Sequence, residues 1–199
     1  MFTESGWGVG AKKYTLIETY KDQLDGAILE IGAERGEGST DWLRAFAAGI
    51  GMPFIGFDLV IHRGKAIMTG EAWLKNIFPL FKLPIAFAYL DNFDWIYERA
   101  EHDEISRQQV GQYAAWGMQL TRENSRQAHF EQAQLIHWLA APTAFILFDD
   151  TWRQPSGSFE GKGALAVPWL LQRGWDVIAC SDPAEQTFDG YVMLRREFH

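Results

Sequence analysis

The sequence predicts an α/β protein with a doubly wound sheet, built as a single domain over residues 1–199. Short apolar runs suited to buried parallel strands alternate with stretches whose apolar residues recur at helical spacing. A glycine-rich turn joins the first of these strands to the helix that follows it. The last two apolar runs, 175–180 and 190–195, predict an antiparallel hairpin that closes the sheet.

Composition limits the classes of partner. A chain of 199 residues with 47% hydrophobic residues is long enough to bury a full core. The net charge is −8 and Lys and Arg do not cluster, which argues against a nucleic-acid partner. No apolar run approaches the ~20 residues of a membrane helix, and residues 1–10 lack the pattern of a signal peptide. The single cysteine, Cys180, suits a reducing compartment. We therefore expect a soluble, cytoplasmic protein without a nucleic-acid or membrane partner.

The stretch 26–40 carries the first functional signal. An apolar run, 27–31, is interrupted only by Glu30 and leads into Gly32, Gly36 and Gly38 before a helix that opens with Ser39. Glycines there let a ligand approach the backbone beside a helix N-terminus. The spacing is G-x-x-x-G-x-G, whereas the dinucleotide fingerprint is G-x-G-x-x-G. A carboxylate at position 30 would repel a pyrophosphate but would attract an ammonium group.

These residues resemble motif I of the class I S-adenosylmethionine (SAM) methyltransferases. The resemblance implies a Rossmann-like, seven-stranded sheet with helices on both faces, and SAM as the cofactor. It also implies a set of cofactor-binding residues in the turn, namely Glu30, Gly32, Glu34, Gly36, Gly38 and Ser39.

Further cofactor contacts are expected where the next strands end. Asp58 follows the predicted strand 52–57 and suits the ribose hydroxyls, although the same spacing fits an NAD site. A third strand is predicted at 66–70, and Gly70 and Glu71 resemble the family motif that meets the adenine. Asp91 follows the apolar run 85–90, which predicts a central buried strand.

Asp149 and Asp150 follow the apolar run 143–148. Adjacent carboxylates repel each other unless a cation or hydrogen-bond donors compensate. Together with Asp91 they form a plausible oxygen set for Mg²⁺ or another divalent cation. The arrangement resembles the metal-dependent O-methyltransferases of the catechol, caffeoyl-CoA and macrocin types. The alternative is a turn in which both aspartates cap backbone N–H groups.

Two basic residues are candidates for a chemical role. His129 lies on the inward stripe of a helix predicted at 128–140, near its start, with the N-cap at Asn124-Ser125. It is either a core histidine bonded to a backbone carbonyl or, with Asp91, a catalytic residue that removes a proton from the acceptor. Lys162, between two glycines, is expected to be solvated rather than to bind an anionic substrate group.

Two segments are candidates for covering the site. Residues 1–25, with a helix predicted at 13–24, are expected to lie either over the cofactor or over a sheet edge. The long segment 96–123 is expected to form a lid or a substrate-recognition element, because long excursions from compact domains are usually functional or disordered.

The sequence therefore predicts a SAM-dependent methyltransferase that acts on an oxygen of a small molecule or glycan, with divalent-metal assistance. Two alternatives stay open, a non-catalytic protein that binds SAM or S-adenosylhomocysteine (SAH), and an NAD(P)-dependent enzyme. The sequence does not identify the methyl acceptor, and it is compatible with a homo-oligomer.

Overall fold

A computed structural model describes residues 13–33, 38–57, 83–96, 104–181 and 190–197. The main sheet contains six strands: β1 (Ala27–Ile31), β2 (Phe54–Phe57), β3 (Ile85–Leu90), β4 (Ala140–Asp149), β7 (Trp175–Cys180) and β8 (Tyr191–Glu197). A separate small hairpin pairs β5 (Thr151–Arg153) with β6 (Phe159–Gly161). A 3₁₀ helix (Lys13–Gln23) precedes β1, and the α-helices are α1 (Ser39–Gly49), α2 (Glu104–Ala115), α3 (Arg122–Leu139) and α4 (Ala166–Leu171).

The strand order is β2-β1-β3-β4-β8-β7. β1 is parallel to β2 and β3, β3 is parallel to β4, and β8 is antiparallel to both β4 and β7. The chain moves one way from β1 to β2 and the opposite way from β3 to β4, so right-handed connections put α1 and α3 on opposite faces. This is the predicted doubly wound α/β fold with its closing antiparallel hairpin. The expected strand at 66–70 lies outside the described residues.

The core lies along the central strands. Every residue of β1 and β3 is buried, as is the run from Ala144 to Asp149 in β4. Burying a side chain such as Ile, Leu or Phe contributes about 1.5–3 kcal/mol relative to leaving it exposed. The apolar strands therefore hold the sheet together and fix the positions of the residues at their carboxyl ends.

The start of α3 differs from the prediction. The N-cap is Thr121, whose hydroxyl accepts a hydrogen bond from the Asn124 backbone N–H at 3.0 Å, so the expected N-cap at Asn124-Ser125 is wrong by about one turn. Ser125 instead lies inside the helix, is buried, and donates its hydroxyl to the Phe93 carbonyl at 2.9 Å. Thr121 is an equally good cap residue, and its extended backbone suits the position.

The described part of the segment 96–123 is packed against the loop after β3. Phe93, Tyr113 and Leu120 form a second, small apolar cluster beside the main core. The Tyr113 hydroxyl accepts a hydrogen bond from the Asp94 backbone N–H at 2.9 Å. These contacts connect α2 to the carboxyl end of β3, and the role of the segment as a lid stays a prediction. None of the described helices has the length and apolarity needed to cross a bilayer.

Candidate functional site

The candidate site lies where the strand order reverses, between the carboxyl ends of β1 and β3, with the end of β4 beside them. Ligands of doubly wound sheets bind at such a point. The two strand ends approach closely at Gly32, where a Cβ would lie 2.6 Å from the Asn92 backbone nitrogen. Gly32 also has a φ of 113°, which disfavours any other residue. A glycine is therefore required at this position by both the turn and the packing.

The first turn of α1 presents backbone donors to the same place. The N-cap of α1 is Gly38, with a φ of 62° and no side-chain cap. The first N–H groups of a helix lack partners within the helix, and here no capping side chain at Gly38 supplies one. An electronegative ligand atom is a suitable partner for these donors.

Glu30 is the central ionisable residue of the turn and is fully buried. Its Oε1 accepts a hydrogen bond from the Ser39 hydroxyl at 2.6 Å, and Oε2 has no hydrogen-bond partner among the described residues. The nearby Thr40 hydroxyl donates to the Ala33 carbonyl instead, at 3.3 Å. Burial raises the pKa of Glu30 to about 7, and Asp91 contributes, while Ser39 and Thr40 oppose the increase. Burial therefore outweighs the donors and the charge of Arg44, and Oε2 is the oxygen without a partner among the described residues.

The 3₁₀ helix lies over the middle of the sheet beside Glu30, and it contacts β4 and α1. The Tyr14 ring centroid lies 5.7 Å from that of Trp42 and 5.9 Å from that of Tyr89. Burial raises the pKa of Tyr14, and the negative charge of Glu30 adds to the effect. The expectation that this segment lies over the cofactor stays a prediction, and residues 1–12 lie outside the described part of the chain.

The three predicted metal-site carboxylates come together. Asp91, Asp149 and Asp150 each offer an oxygen, and these oxygens lie within 4.8 Å of one another. The prediction that these side chains converge is confirmed. Tyr89 joins them, with its hydroxyl 2.5 Å from Asp149 Oδ2 and 3.3 Å from Asp91 Oδ2. We call Asp91, Asp149 and Asp150 the acidic cluster.

Lys162 is bound into the acidic cluster, so the expectation that it is solvated is wrong. It is 1% exposed. Its ammonium donates to Asp91 Oδ1 at 2.9 Å and to the Asp91 carbonyl at 3.3 Å, and lies 3.1 Å from Asp150 Oδ2. Its backbone N–H donates to the Asp150 carbonyl at 2.9 Å. The glycines beside it in sequence do not mark a solvated loop, because the segment returns through the β5–β6 hairpin to the end of β4.

A second lysine reaches the cluster from the 3₁₀ helix. Lys13 donates to Asp149 Oδ1 and lies 3.5 Å from the Gly190 carbonyl oxygen. Burial raises the pKa of Asp149 to about 6, with Asp91 adding to the increase and Lys13 and Lys162 opposing it. The predicted site does not include Lys13, and Lys162 is expected to be solvated, although two adjacent aspartates at the end of a buried strand are themselves a signal that cations lie nearby.

The acidic cluster does not fit a divalent cation as it stands. Among the described residues, Lys162 pairs with Asp91 Oδ1 and Asp150 Oδ2, and Lys13 pairs with Asp149 Oδ1. The single proton of the Tyr89 hydroxyl is donated to Asp149 Oδ2, and the same hydroxyl lies 3.3 Å from Asp91 Oδ2. Mg²⁺ requires near-ideal octahedral oxygen ligands at about 2.0–2.1 Å. These oxygens would have to give up their donors before they could bind the ion.

His129 is fully buried on the inward face of α3, and it lies two turns into the helix rather than near its start. Its Nδ1 lies 2.8 Å from the Ser125 carbonyl oxygen, so Nδ1 carries the proton. Its Nε2 has no partner among the described residues. Burial lowers the pKa of His129 to about 3, and Lys162 adds to this effect. These facts favour the core histidine over the catalytic base.

Five predicted cofactor residues lie outside the described part of the chain: Glu34, Gly36, Asp58, Gly70 and Glu71. Their roles stay predictions. Of the remaining predicted cofactor residues, Glu30 and Ser39 are in contact, and Gly32 lies against the backbone of Asp91.

No protein-family model matches the chain, and no curated protein matches it. Solved structures resemble it, including two O-methyltransferases. One is an O-methyltransferase from Bacillus cereus in complex with SAH, with a TM-score of 0.46 and 10% identity, covering 96% of this chain and 84% of that chain. The other is the O-methyltransferase TomG from Streptomyces achromogenes, involved in tomaymycin synthesis and in complex with SAM, with a TM-score of 0.44 and 13% identity, covering 98% of this chain and 83% of that chain. Likeness of this degree does not assign a ligand or a reaction to this chain.

Proposed function

We propose that the protein is a SAM-dependent methyltransferase that methylates an oxygen of a small molecule or sugar. The observation that carries the proposal is the buried carboxylate of Glu30, with one oxygen bonded to Ser39 and the other without a described partner. A buried carboxylate becomes favourable when a cation pairs with it. SAM offers an ammonium group in its amino-acid portion.

The same observation argues against a dinucleotide. NAD carries a pyrophosphate that would lie at this glycine turn, and its charge would repel the Glu30 carboxylate. SAM carries no phosphate. The close approach at Gly32 and the backbone N–H groups of the first turn of α1 suit either ligand, so the sign of the charge at residue 30 decides between them.

In this proposal the residues of the turn bind the amino-acid portion of SAM. Glu30 accepts from the ammonium through Oε2, which has no partner among the described residues, while Ser39 keeps Oε1 oriented. Tyr14 and Trp42 form an aromatic wall on the side of the 3₁₀ helix. Asp58, Gly70 and Glu71 are proposed to bind the ribose and the adenine, on the basis of their positions in the sequence alone.

SAM supplies a methyl group on a sulfonium, whose thioether is already a good leaving group. The tasks left to the protein are alignment of the acceptor and removal of its proton. We propose Asp91 for the second task. It lies at the end of β3 next to the turn, and its side chain is 32% exposed, compared with 18% for Asp150 and 9% for Asp149. It is therefore the carboxylate of the acidic cluster that an acceptor hydroxyl can reach.

The proposal is tested by transfer of a radiolabelled methyl group from SAM to a panel of phenols, catechols and sugars. Transfer to an oxygen, lost in Asp91→Asn but with SAH binding retained, is the expected result. Tight SAH binding without transfer to any acceptor would favour the non-catalytic binding protein. Binding of NAD⁺ in preference to SAH would favour the NAD(P)-dependent enzyme.

A further inference from the structure

The acidic cluster contains its own cations. Asp91, Asp149 and Asp150 bring three carboxylates to one point, and Lys13 and Lys162 bring two ammonium groups to the same point. With every one of these groups ionised, the formal charge of the five side chains is −1 rather than −3.

Lys162 occupies the position that joins two of the carboxylates. Its ammonium bridges Asp91, which follows β3, and Asp150, which follows β4, at 2.9 and 3.1 Å. A third contact is with the Asp91 carbonyl oxygen at 3.3 Å. The ammonium is therefore paired with two carboxylates and a carbonyl oxygen, as a buried charge requires.

The backbone holds this lysine in place. Gly161 has a φ of 87°, and a Cβ there would lie 1.9 Å from the Asp150 carbonyl oxygen. The Gly163 N–H donates to the Thr151 hydroxyl at 2.9 Å. The backbone on both sides of Lys162 is thus packed against the end of β4. This packing directs the buried Lys162 side chain toward the acidic cluster.

The charge state of Lys162 agrees with this geometry. Burial lowers the pKa of Lys162, but Asp150, Asp91, Asp149 and Asp94 outweigh burial and raise the pKa well above its usual value. The side chain is therefore an ammonium ion at every pH at which the protein is expected to work.

We propose that Lys162 is the resident cation of the acidic cluster and takes the place that a divalent metal ion would hold, so that the cluster is complete without metal. In this role Lys162 is a positioning residue. It fixes the Asp91 carboxylate beside the glycine turn and excludes Mg²⁺ or Mn²⁺ by occupying the shared oxygens and by charge repulsion. The proposal concerns the cluster alone and holds whichever cofactor the turn binds.

A direct metal titration tests the proposal without any cofactor or acceptor. The wild-type protein is freed of metal with a chelator and titrated with Mn²⁺, and free Mn²⁺ is measured by electron paramagnetic resonance. We expect no stoichiometric binding below about 1 mM, the weak end of protein sites for hard divalent cations. Binding of one Mn²⁺ at least about tenfold more tightly than this, lost in Asp150→Asn, would overturn the proposal.

The variant Lys162→Gln tests whether Lys162 is the reason that the acidic cluster does not bind a divalent metal ion. Removal of the ammonium takes away the cation shared by Asp91 and Asp150 and leaves the cluster more negative, so Mn²⁺ affinity is expected to rise by at least about tenfold. The control Lys21→Gln makes the same change of net charge at an exposed lysine and is expected to leave Mn²⁺ binding unchanged. A folded Lys162→Gln protein that gains no affinity would contradict the role of Lys162. If this variant does not fold, the titrations of the wild-type protein and of Asp150→Asn decide.

Discussion

The Ser39 hydroxyl lies 2.6 Å from Glu30 Oε1 and holds one oxygen of a buried carboxylate whose other oxygen has no described partner. The two residues are separated by the glycine turn, with Glu30 in β1 and Ser39 at the start of α1. The contact between Ser39 and Oε1 fixes the orientation of the carboxylate between the end of β1 and the start of α1. A cationic ligand is inferred from the other oxygen, Oε2.

Ligand affinity is expected to depend on pH through Glu30. Burial raises the pKa of Glu30 to about 7, and an ammonium partner favours the charged form, so binding of SAH releases a proton below pH 7. The affinity for SAH should rise from pH 5.5 to pH 7.5 by about tenfold or more. The measurement is calorimetric titration at several pH values. Glu30→Gln should lose this dependence, since the ionisation of the ligand is common to both proteins.

The free energy of unfolding of the unliganded protein should change with pH in the opposite direction to the affinity for SAH. Because the folded pKa of about 7 lies above the ordinary value of 4.5, Glu30 favours the folded state fully below pH 4.5, and this contribution is lost as pH rises to 7. At pH 8 the wild-type protein should be less stable than Glu30→Gln, by up to roughly 3 kcal/mol. Urea unfolding at pH 5 and pH 8 measures this difference. The exposed Glu18→Gln variant is the control, and an equal effect in both variants would contradict the prediction.

Ser39→Ala should weaken the binding of SAH while the fold is kept. The substitution removes the donor to Glu30 Oε1, so the pKa of Glu30 should rise above its value of about 7 in the wild-type protein. The lost hydrogen bond to a charged group corresponds to about 1.5–3 kcal/mol, or roughly 10- to 150-fold in affinity. Ser39→Thr retains the hydroxyl and is the matched variant. Equal affinities of Ser39→Ala and Ser39→Thr would show that the contact does not orient the carboxylate.

Gly32→Ala should destabilise the protein and remove ligand binding. A methyl group at this position meets the backbone of Asp91 and Asn92 at 2.6 Å, and the φ of 113° is strained for alanine. The expected loss is more than about 2 kcal/mol in urea unfolding. Gly111→Ala in α2 is the control, because nothing lies within 4 Å of the added methyl group and alanine favours a helix by about 0.8–1.0 kcal/mol. Equal stabilities of the two variants would contradict the proposed packing of β1 against the loop after β3.

The fold followed from local patterns. The buried strands at 27–31 and 85–90 were predictable because continuous apolar runs bounded by glycine, proline or aspartate suit the middle of a parallel sheet. The cap of α3 was not, because Thr121, Asn124 and Ser125 are all good N-cap residues and only tertiary packing decides between them. Ser125 is drawn into the helix by the Phe93 carbonyl, which lies 32 positions away in sequence.

The acidic residues of the site could be predicted from the sequence, whereas the lysines that pair with them could not. Asp91, Asp149 and Asp150 each follow an apolar strand, so the topology alone brings them together. Lys13 and Lys162 reach them from a 3₁₀ helix and from the loop after a hairpin, 136 residues from Asp149 and 71 residues from Asp91. No periodicity or spacing reports such contacts. The signal in the sequence is the repulsion between two adjacent aspartates at a strand end, which a metal ion or a lysine can equally relieve.

The most direct test of the central claim is calorimetric titration of the wild-type protein and Glu30→Gln with SAH at pH 7.5, with NAD⁺ as the comparison ligand. We predict that the wild-type protein binds one SAH and does not bind NAD⁺, and that Glu30→Gln binds SAH at least about tenfold more weakly, as expected for loss of a buried charge pair. Failure of the wild-type protein to bind SAH, or equal binding by Glu30→Gln, would contradict the claim that this carboxylate receives the ammonium group of the cofactor.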